Sequence, residues 1–93
     1  MFTGIIEKTA PVTRVEASAG ALLLSVGLVD FLPLPQLGES IAVNGCCLTV
    51  AGCDGPQAQF VATAETLSLT NLSRLKVGTM VNVERAMRAD SAF

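Results

Sequence analysis

The sequence predicts an all-β fold: a small six-stranded antiparallel Greek-key β-barrel with one or two short helical turns. Apolar and polar residues alternate with a period of two through most of the chain, which is typical of strands that bury one face. Turn signals that contain glycine separate these runs at short intervals. A barrel is favoured over an open sheet, because so small a sheet would leave apolar edges exposed.

Six segments carry the strand pattern. In chain order they are 4–15, 21–27, 40–43, 47–50, 57–64 and 80–84. Pro11 in the first segment indicates an edge or a bend, since proline cannot donate to a ladder. The fifth segment has the clearest alternation, because one of its faces carries only apolar side chains. That face consists of Ala58, Phe60, Ala62 and Ala64, and in the last strand Val81 and Val83 are expected to point inward.

Turns and helical turns complete the pattern. Asn44-Gly45 predicts a tight turn with positive φ at Gly45, and Asp54-Gly55 predicts a hairpin between two strands. Leucines at 69, 72 and 75 predict one or two helical turns with Thr70 as N-cap. Prolines exclude a regular helix through residues 30–35.

Composition limits the possible function classes. The chain has 93 residues, of which 51% are hydrophobic and 15% charged, and this excludes a disordered protein. The apolar excess predicts surface left over for a ligand or a partner. There is no histidine, so Ser-His and Cys-His catalytic pairs are excluded. Nucleic-acid binding is rejected, because the six basic residues form no dense cluster and Trp and Tyr are absent.

The three cysteines predict reduced thiols in a cytoplasmic protein. Cys46 and Cys47 are adjacent, and vicinal cysteines rarely bridge without strain. With Cys53 they offer at most three soft ligands and no paired C-x-x-C spacing, so no metal site is expected. The N-terminus lacks the basic start of a signal peptide. The charge-free run at 17–29 is too short to span a bilayer, so no membrane partner is expected.

Four strings add a resemblance to this bottom-up analysis. They are MFTGIIE at 1–7, GESIAVNGCCLTV at 38–50, ETLSLTNL at 65–72 and VNVERA at 81–86. In this order and spacing they resemble the N-terminal half of riboflavin synthase of the alpha-chain type. The resemblance implies that residues 1–90 form one lumazine- or riboflavin-binding barrel and that 91–93 begin a truncated linker to a second barrel.

The resemblance also implies an activity and an assembly. Each barrel of the family binds one 6,7-dimethyl-8-ribityllumazine, and the full-length chain works as a homotrimer. The N-terminal barrel of one subunit faces the C-terminal barrel of another, and the two ligands exchange a four-carbon unit. The products are riboflavin and 5-amino-6-ribitylamino-uracil, and no metal or organic cofactor takes part. Half of that catalytic interface is absent from this chain.

Site residues follow by matching family positions. The positions implied near the reacting ring are Cys47, Ser40, Phe2 and Thr3, and the implied ligand-binding positions are Thr49, Ala62, Ala64, Glu65, Thr66, Ile5 and Ile6. Small alanines also suit a plain core, and threonine suits any half-exposed strand. Cys47 is expected to make a polar contact rather than act as nucleophile, because no histidine or lysine cluster lies near it in sequence.

Two other function classes stay open. One is a non-catalytic single-barrel protein that carries a flavin or lumazine, and the other is an apolar interaction module without a ligand. For the isolated barrel we expect an isologous homodimer with Phe2, Thr3 and Cys47 near the contact, because its apolar binding face has no covalent partner.

Overall fold

The computed structural model describes residues 8–29, 31 and 33–85, which form a closed barrel of six antiparallel strands. The elements in chain order are β1 (Lys8–Ser18), β2 (Ala21–Gly27), β3 (Ser40–Val43), β4 (Cys46–Asp54), β5 (Gln57–Ala62), α1 (Ala64–Leu69), a 3₁₀ turn (Leu72–Arg74) and β6 (Met80–Arg85). Around the barrel the strand order is β1-β2-β5-β4-β3-β6. The predicted six-stranded antiparallel barrel with short helical turns is therefore confirmed. No helix in these described ranges has the length and apolar character needed to cross a membrane.

Two long strands bend and change partners. β1 pairs with β6 up to Pro11 and with β2 from Val12 onward, with a register shift between Val12 and Arg14. β4 pairs with β3 up to Thr49 and with β5 from Val50 onward, with a shift directly after Val50. Such irregularities bend a strand and increase its twist. The bend in β1 directly follows Pro11, in agreement with the prediction.

Alternation along the strands fills the barrel. Phe60 and Ile41 are fully buried, and the inward positions of β2, β4 and β6 complete the core. The predicted inward side chains Ala58, Phe60, Ala62, Val81 and Val83 are all buried. β2 and β3 have the predicted bounds, whereas β4 extends four residues beyond its prediction, to Asp54. Of the predicted first strand, residues 4–7 lie outside the described residues.

The turns agree with the sequence. Asn44 and Gly45 have φ angles of 49° and 81°, and two successive positive φ values are typical of the type I′ hairpin that matches strand twist. Asn44 also links this turn to β6, because its side-chain oxygen accepts a hydrogen bond from the Asn82 N–H at 2.8 Å. Gly55 has φ 59° in the β4–β5 hairpin, as predicted.

The helical region differs from the prediction in its position. The helix α1 begins at Ala64, because the Thr63 hydroxyl accepts a hydrogen bond from the Thr66 N–H and caps it. The expectation that Ala64 continues the strand is therefore wrong. Thr70 is the C-cap of α1 rather than an N-cap, and Asn71 holds the N-cap position of the 3₁₀ turn.

Candidate functional site

One outward surface gathers three of the predicted site residues. In the β3–β4 ladder Ser40 lies opposite Thr49, and Ala42 lies opposite Cys47. The residues between them point into the core, so these four side chains share the outside of the barrel. Cys47 and Thr49 are exposed and Ser40 is half-buried, whereas Ala42 is 6% exposed although it does not belong to the core cluster. We call this surface, formed by Ser40, Ala42, Cys47 and Thr49, the β3–β4 outer face.

Beside this face the ladder between β4 and β5 ends. The last registered pair is Val50 with Phe60, whereas β5 continues to Ala62 along β2. The N–H and C=O of Val50 bond to Glu39 and Gly38 on the β3 side. Because these groups alternate along a strand, the main-chain groups of Cys47 point away from β3, toward β5. Here β5 gives way to α1, and we call this opening the β4–β5 seam.

The first turn of α1 adds polar groups at the seam. Counted from the last registered pair, Val50 with Phe60, Cys47 and Thr63 are each three residues further along, beyond the end of the ladder. The Thr63 and Thr66 hydroxyls lie 3.2 Å apart in a hydrogen bond, and Thr66 is half-buried while Ala64 and Glu65 are exposed. Sequence reasoning missed Thr63, although a threonine followed two residues later by an acidic residue, Glu65, is a signal for a helix N-terminus.

The predicted site residues therefore fall into three groups. Ser40, Cys47 and Thr49 share the β3–β4 outer face, while Ala62, Ala64, Glu65 and Thr66 lie where β5 turns into α1. Ala62 as a whole residue, main chain included, is 1% exposed. The third group, Phe2, Thr3, Ile5 and Ile6, lies outside the described residues. The ligand-binding and catalytic roles of all these residues stay predictions.

The two vicinal cysteines lie in different environments. Successive residues of a strand face opposite sides, so Cys47 is exposed on the outer face and Cys46 packs partly against the core. Desolvation by burial, followed by the charge of the neighbouring Cys47, raises the pKa of the Cys46 thiol. Cys46 therefore remains a neutral thiol at neutral pH. Within the described ranges no three cysteine or acidic side chains cluster as a metal site would require.

A charged pair next to the outer face joins the end of β6 to the residue that precedes β3. The Arg85 guanidinium donates from Nε to Glu39 Oε2 and from Nη2 to Glu39 Oε1, the latter at 3.0 Å. The Arg85 Cζ lies 4.2 Å from the centroid of the Phe31 ring, within cation–π range. We call Arg85, Glu39 and Phe31 the Arg85 clamp.

A separate cleft of about 400 Å³ lies at the hairpin turn. Its lining consists of Asn44, Gly45, Cys46, Thr70, Asn71 and Leu72. None of the predicted site residues that the structure describes lines it. The cleft is therefore distinct from the β3–β4 outer face.

A family model and several riboflavin synthases match this chain. A family model described as the lumazine binding domain matches residues 3–86. The riboflavin synthase of Bacillus subtilis (strain 168) is 41% identical over 93 residues, which are 100% of this chain and 43% of that protein. The riboflavin synthase of Escherichia coli (strain K12) is 44% identical over 89 residues, covering 95% of this chain and 42% of that protein. This chain thus spans less than half the length of these relatives.

Solved structures share the barrel. LumP complexed with riboflavin matches with a TM-score of 0.84 and 27% identity, over 91% of this chain and 46% of that one. LumP complexed with 6,7-dimethyl-8-(1'-D-ribityl) lumazine matches with a TM-score of 0.85 and 26% identity, over 92% and 49%. Because the lumazine binding domain model matches residues 3–86, the chain belongs to the lumazine-binding domain family.

Proposed function

We propose that this chain is the N-terminal barrel of a riboflavin synthase and binds 6,7-dimethyl-8-ribityllumazine or riboflavin on the β3–β4 outer face. The observation that carries the proposal is the juxtaposition of exposed Cys47 and Thr49 with the β4–β5 seam. The similarity to riboflavin synthases, at 41–44% identity in two of them, supports the choice of ligand.

The chemistry of the ligand fits the groups around the seam. A pyrimidinedione edge needs hydrogen-bond donors and acceptors, and the main chain of Cys47 can supply both. A ribityl chain needs hydroxyl and carboxylate partners, which Thr63, Glu65 and Thr66 offer at the start of α1. A flat ring also needs apolar contact, and Val61 is 50% exposed on the outward side of β5.

The proposed reaction uses this face to hold one of two identical ligands. In the intact synthase a carbanion formed at the acidic methyl of one lumazine attacks the other. The barrel contributes proximity and orientation, while the Ser40 hydroxyl and the Cys47 thiol give polar support to the anion. No metal ion or organic cofactor enters this scheme. The predicted residues Phe2 and Thr3 would cover the mouth of the neighbouring site.

Binding without turnover is the first test. The 93-residue chain, assayed alone, is expected to quench riboflavin fluorescence with one ligand per barrel. It should form riboflavin from the lumazine very slowly, because the described residues form one barrel and the proposed reaction needs two. A titration and a product assay measure both. Absence of riboflavin binding, or turnover at the rate of a complete synthase, would refute the proposal.

A second candidate function is a non-catalytic flavin or lumazine carrier. The structural match to LumP, which was solved complexed with riboflavin and with 6,7-dimethyl-8-(1'-D-ribityl) lumazine, favours it. The synthase is preferred because the identity to riboflavin synthases is higher. An activity assay on the complete gene product distinguishes the two, since a carrier binds the lumazine but does not consume it.

Self-association follows from the same proposal. We expect the isolated barrel to form an isologous homodimer through its ligand-binding face, and the full-length synthase to form a homotrimer in the cytoplasm. Sedimentation equilibrium at micromolar concentration tests the dimer, and a single-chain mass throughout would contradict it. A Phe2→Asp variant that still dimerised would contradict the proposed location of the contact.

A further inference from the structure

The Arg85 clamp joins three parts of the chain that are distant in sequence. Arg85 ends β6 and pairs with Ile41 of β3, Glu39 directly precedes β3, and Phe31 lies in the β2–β3 connection. Phe31 is 2% exposed. The side chains of Arg85 and Glu39 are 16% and 23% exposed. The bidentate contact is thus largely shielded from solvent, which strengthens it relative to a surface pair.

Glu39 is held by its main chain as well as by its carboxylate. Its C=O accepts the Val50 N–H at 2.8 Å, and the Gly38 N–H donates to the Val50 C=O at 2.9 Å. The Gln36 N–H donates to Glu39 Oε1 at 3.2 Å. The two bonds to Val50 continue the β3–β4 contact beyond its last registered pair, Ser40 with Thr49.

The position of Ser40 explains why such a clamp matters. β3 has only four residues and Ser40 is its first, and strand ends open more readily than strand centres. In the connection that precedes it Phe31 is buried, but Val29 and Leu37 are 67% and 70% exposed, so the stretch directly before Glu39 packs little against the barrel. The contacts that hold Glu39 in place therefore also hold the start of β3, where Ser40 lies.

We propose that Arg85 and Glu39 are positioning residues that hold Ser40 against Thr49 on the β3–β4 outer face, and thereby set the affinity for the ribityl-bearing ligand. This inference rests on the proposed function. Neither residue touches the ligand in this scheme, and they act through the main chain of residues 38–40.

The chain offers a matched control for this pair. Arg14 and Glu16 also form an ion pair, but their side chains are 54% and 52% exposed, and both lie on β1 where it pairs with β2. Exposed pairs of this kind contribute little. Arg14→Met removes the same charge and a similar volume without touching β3.

A double-mutant cycle tests the inference with riboflavin as the probe. Arg85→Met is expected to weaken riboflavin binding about tenfold, as measured by fluorescence titration. In a Ser40→Ala background the same change should weaken it less than about twofold, because the contact that it positions is already gone. The riboflavin affinity of Arg85→Lys should lie between those of the wild type and Arg85→Met. Lysine keeps the positive charge but cannot donate two parallel hydrogen bonds to one carboxylate. Arg14→Met should bind like wild type.

The outcomes separate the inference from the function on which it rests. If the wild-type chain binds no riboflavin, both are overturned. If the wild type binds but Arg85→Met, with a native circular-dichroism spectrum, binds equally well, only the inference is overturned. If Arg85→Met weakens riboflavin binding equally in the wild-type and Ser40→Ala backgrounds, the inference is also overturned. The effect of Arg85 would then not depend on Ser40. If Arg85→Met does not fold, Glu39→Gln replaces it in the same cycle.

Discussion

The two faces of the β3–β4 hairpin differ, although their residues alternate along the same strands. On the inner face Ile41, Leu48 and Val50 are at most 5% exposed. On the outer face Cys47 and Thr49 are exposed and close to the β4–β5 seam. The inner residues stabilise the barrel, whereas the barrel does not depend on the outer ones, which can serve ligand binding. Substitutions on the two faces should therefore separate stability from affinity.

The largest effect is expected on the inner face. Leu48→Ala should lower the free energy of unfolding by about 2–5 kcal/mol, through lost burial and the cavity left behind. Urea denaturation measures the change, and Cys47→Ala, one residue away on the outer face, is the matched control. The control should change stability by less than about 0.5 kcal/mol. Similar losses in both variants would show that the two faces are not energetically distinct.

A smaller effect is expected on the outer face, where a substitution should change riboflavin affinity and not stability. Thr49→Val keeps the side-chain shape and removes the hydroxyl, so it should weaken riboflavin binding by about 0.5–1.5 kcal/mol. Unfolding should change little, because the side chain is exposed. Thr9→Val, an exposed strand position on β1, should leave the dissociation constant unchanged. An unaltered dissociation constant in Thr49→Val would show that the Thr49 hydroxyl does not bind the ligand.

The smallest effect concerns Cys46, which lies between the two environments. Its pKa is raised above the ordinary value of 9.0 by burial and by Cys47. The folded state therefore keeps the thiol proton at a pH where the unfolded chain loses it. The resulting stability is fully present below the unfolded pKa and is lost as pH rises through the folded pKa. Thermal midpoints should fall more steeply in alkali for the wild type than for Cys46→Ala, and parallel curves would contradict this.

The inner face was largely predictable from the sequence. Alternation identified the buried side chains of β5 and β6, and the positive φ of Gly45 followed from the Asn-Gly turn. The start of α1 was not predictable in this way, because a cap on Thr63 overrides the apolar alternation that Ala64 continues. The start of α1 depends on the single hydrogen bond from the Thr66 N–H to the Thr63 hydroxyl. The pattern of apolar and polar residues carries no information about such a bond.

The outer face and the clamp were less predictable, for different reasons. An exposed threonine or cysteine on a strand has no distinctive pattern, so Cys47 and Thr49 were singled out by resemblance to a family. Arg85 and Glu39 are 46 positions apart, and only the pairing of β3 with β6 brings them together. Single-sequence patterns are local and do not report such a contact.

The pairing of β1 with β6 has a consequence for how the chain reaches its fold. Lys8 lies opposite Val83, so the barrel closes only when nearly the whole described chain is available. Contacts between residues so distant in sequence slow folding. During synthesis β6 is the last of the six strands to leave the ribosome, and until then both β1 and β3 present open edges that can pair with another chain. A fragment that ends before Met80 is therefore expected to aggregate rather than form a smaller barrel.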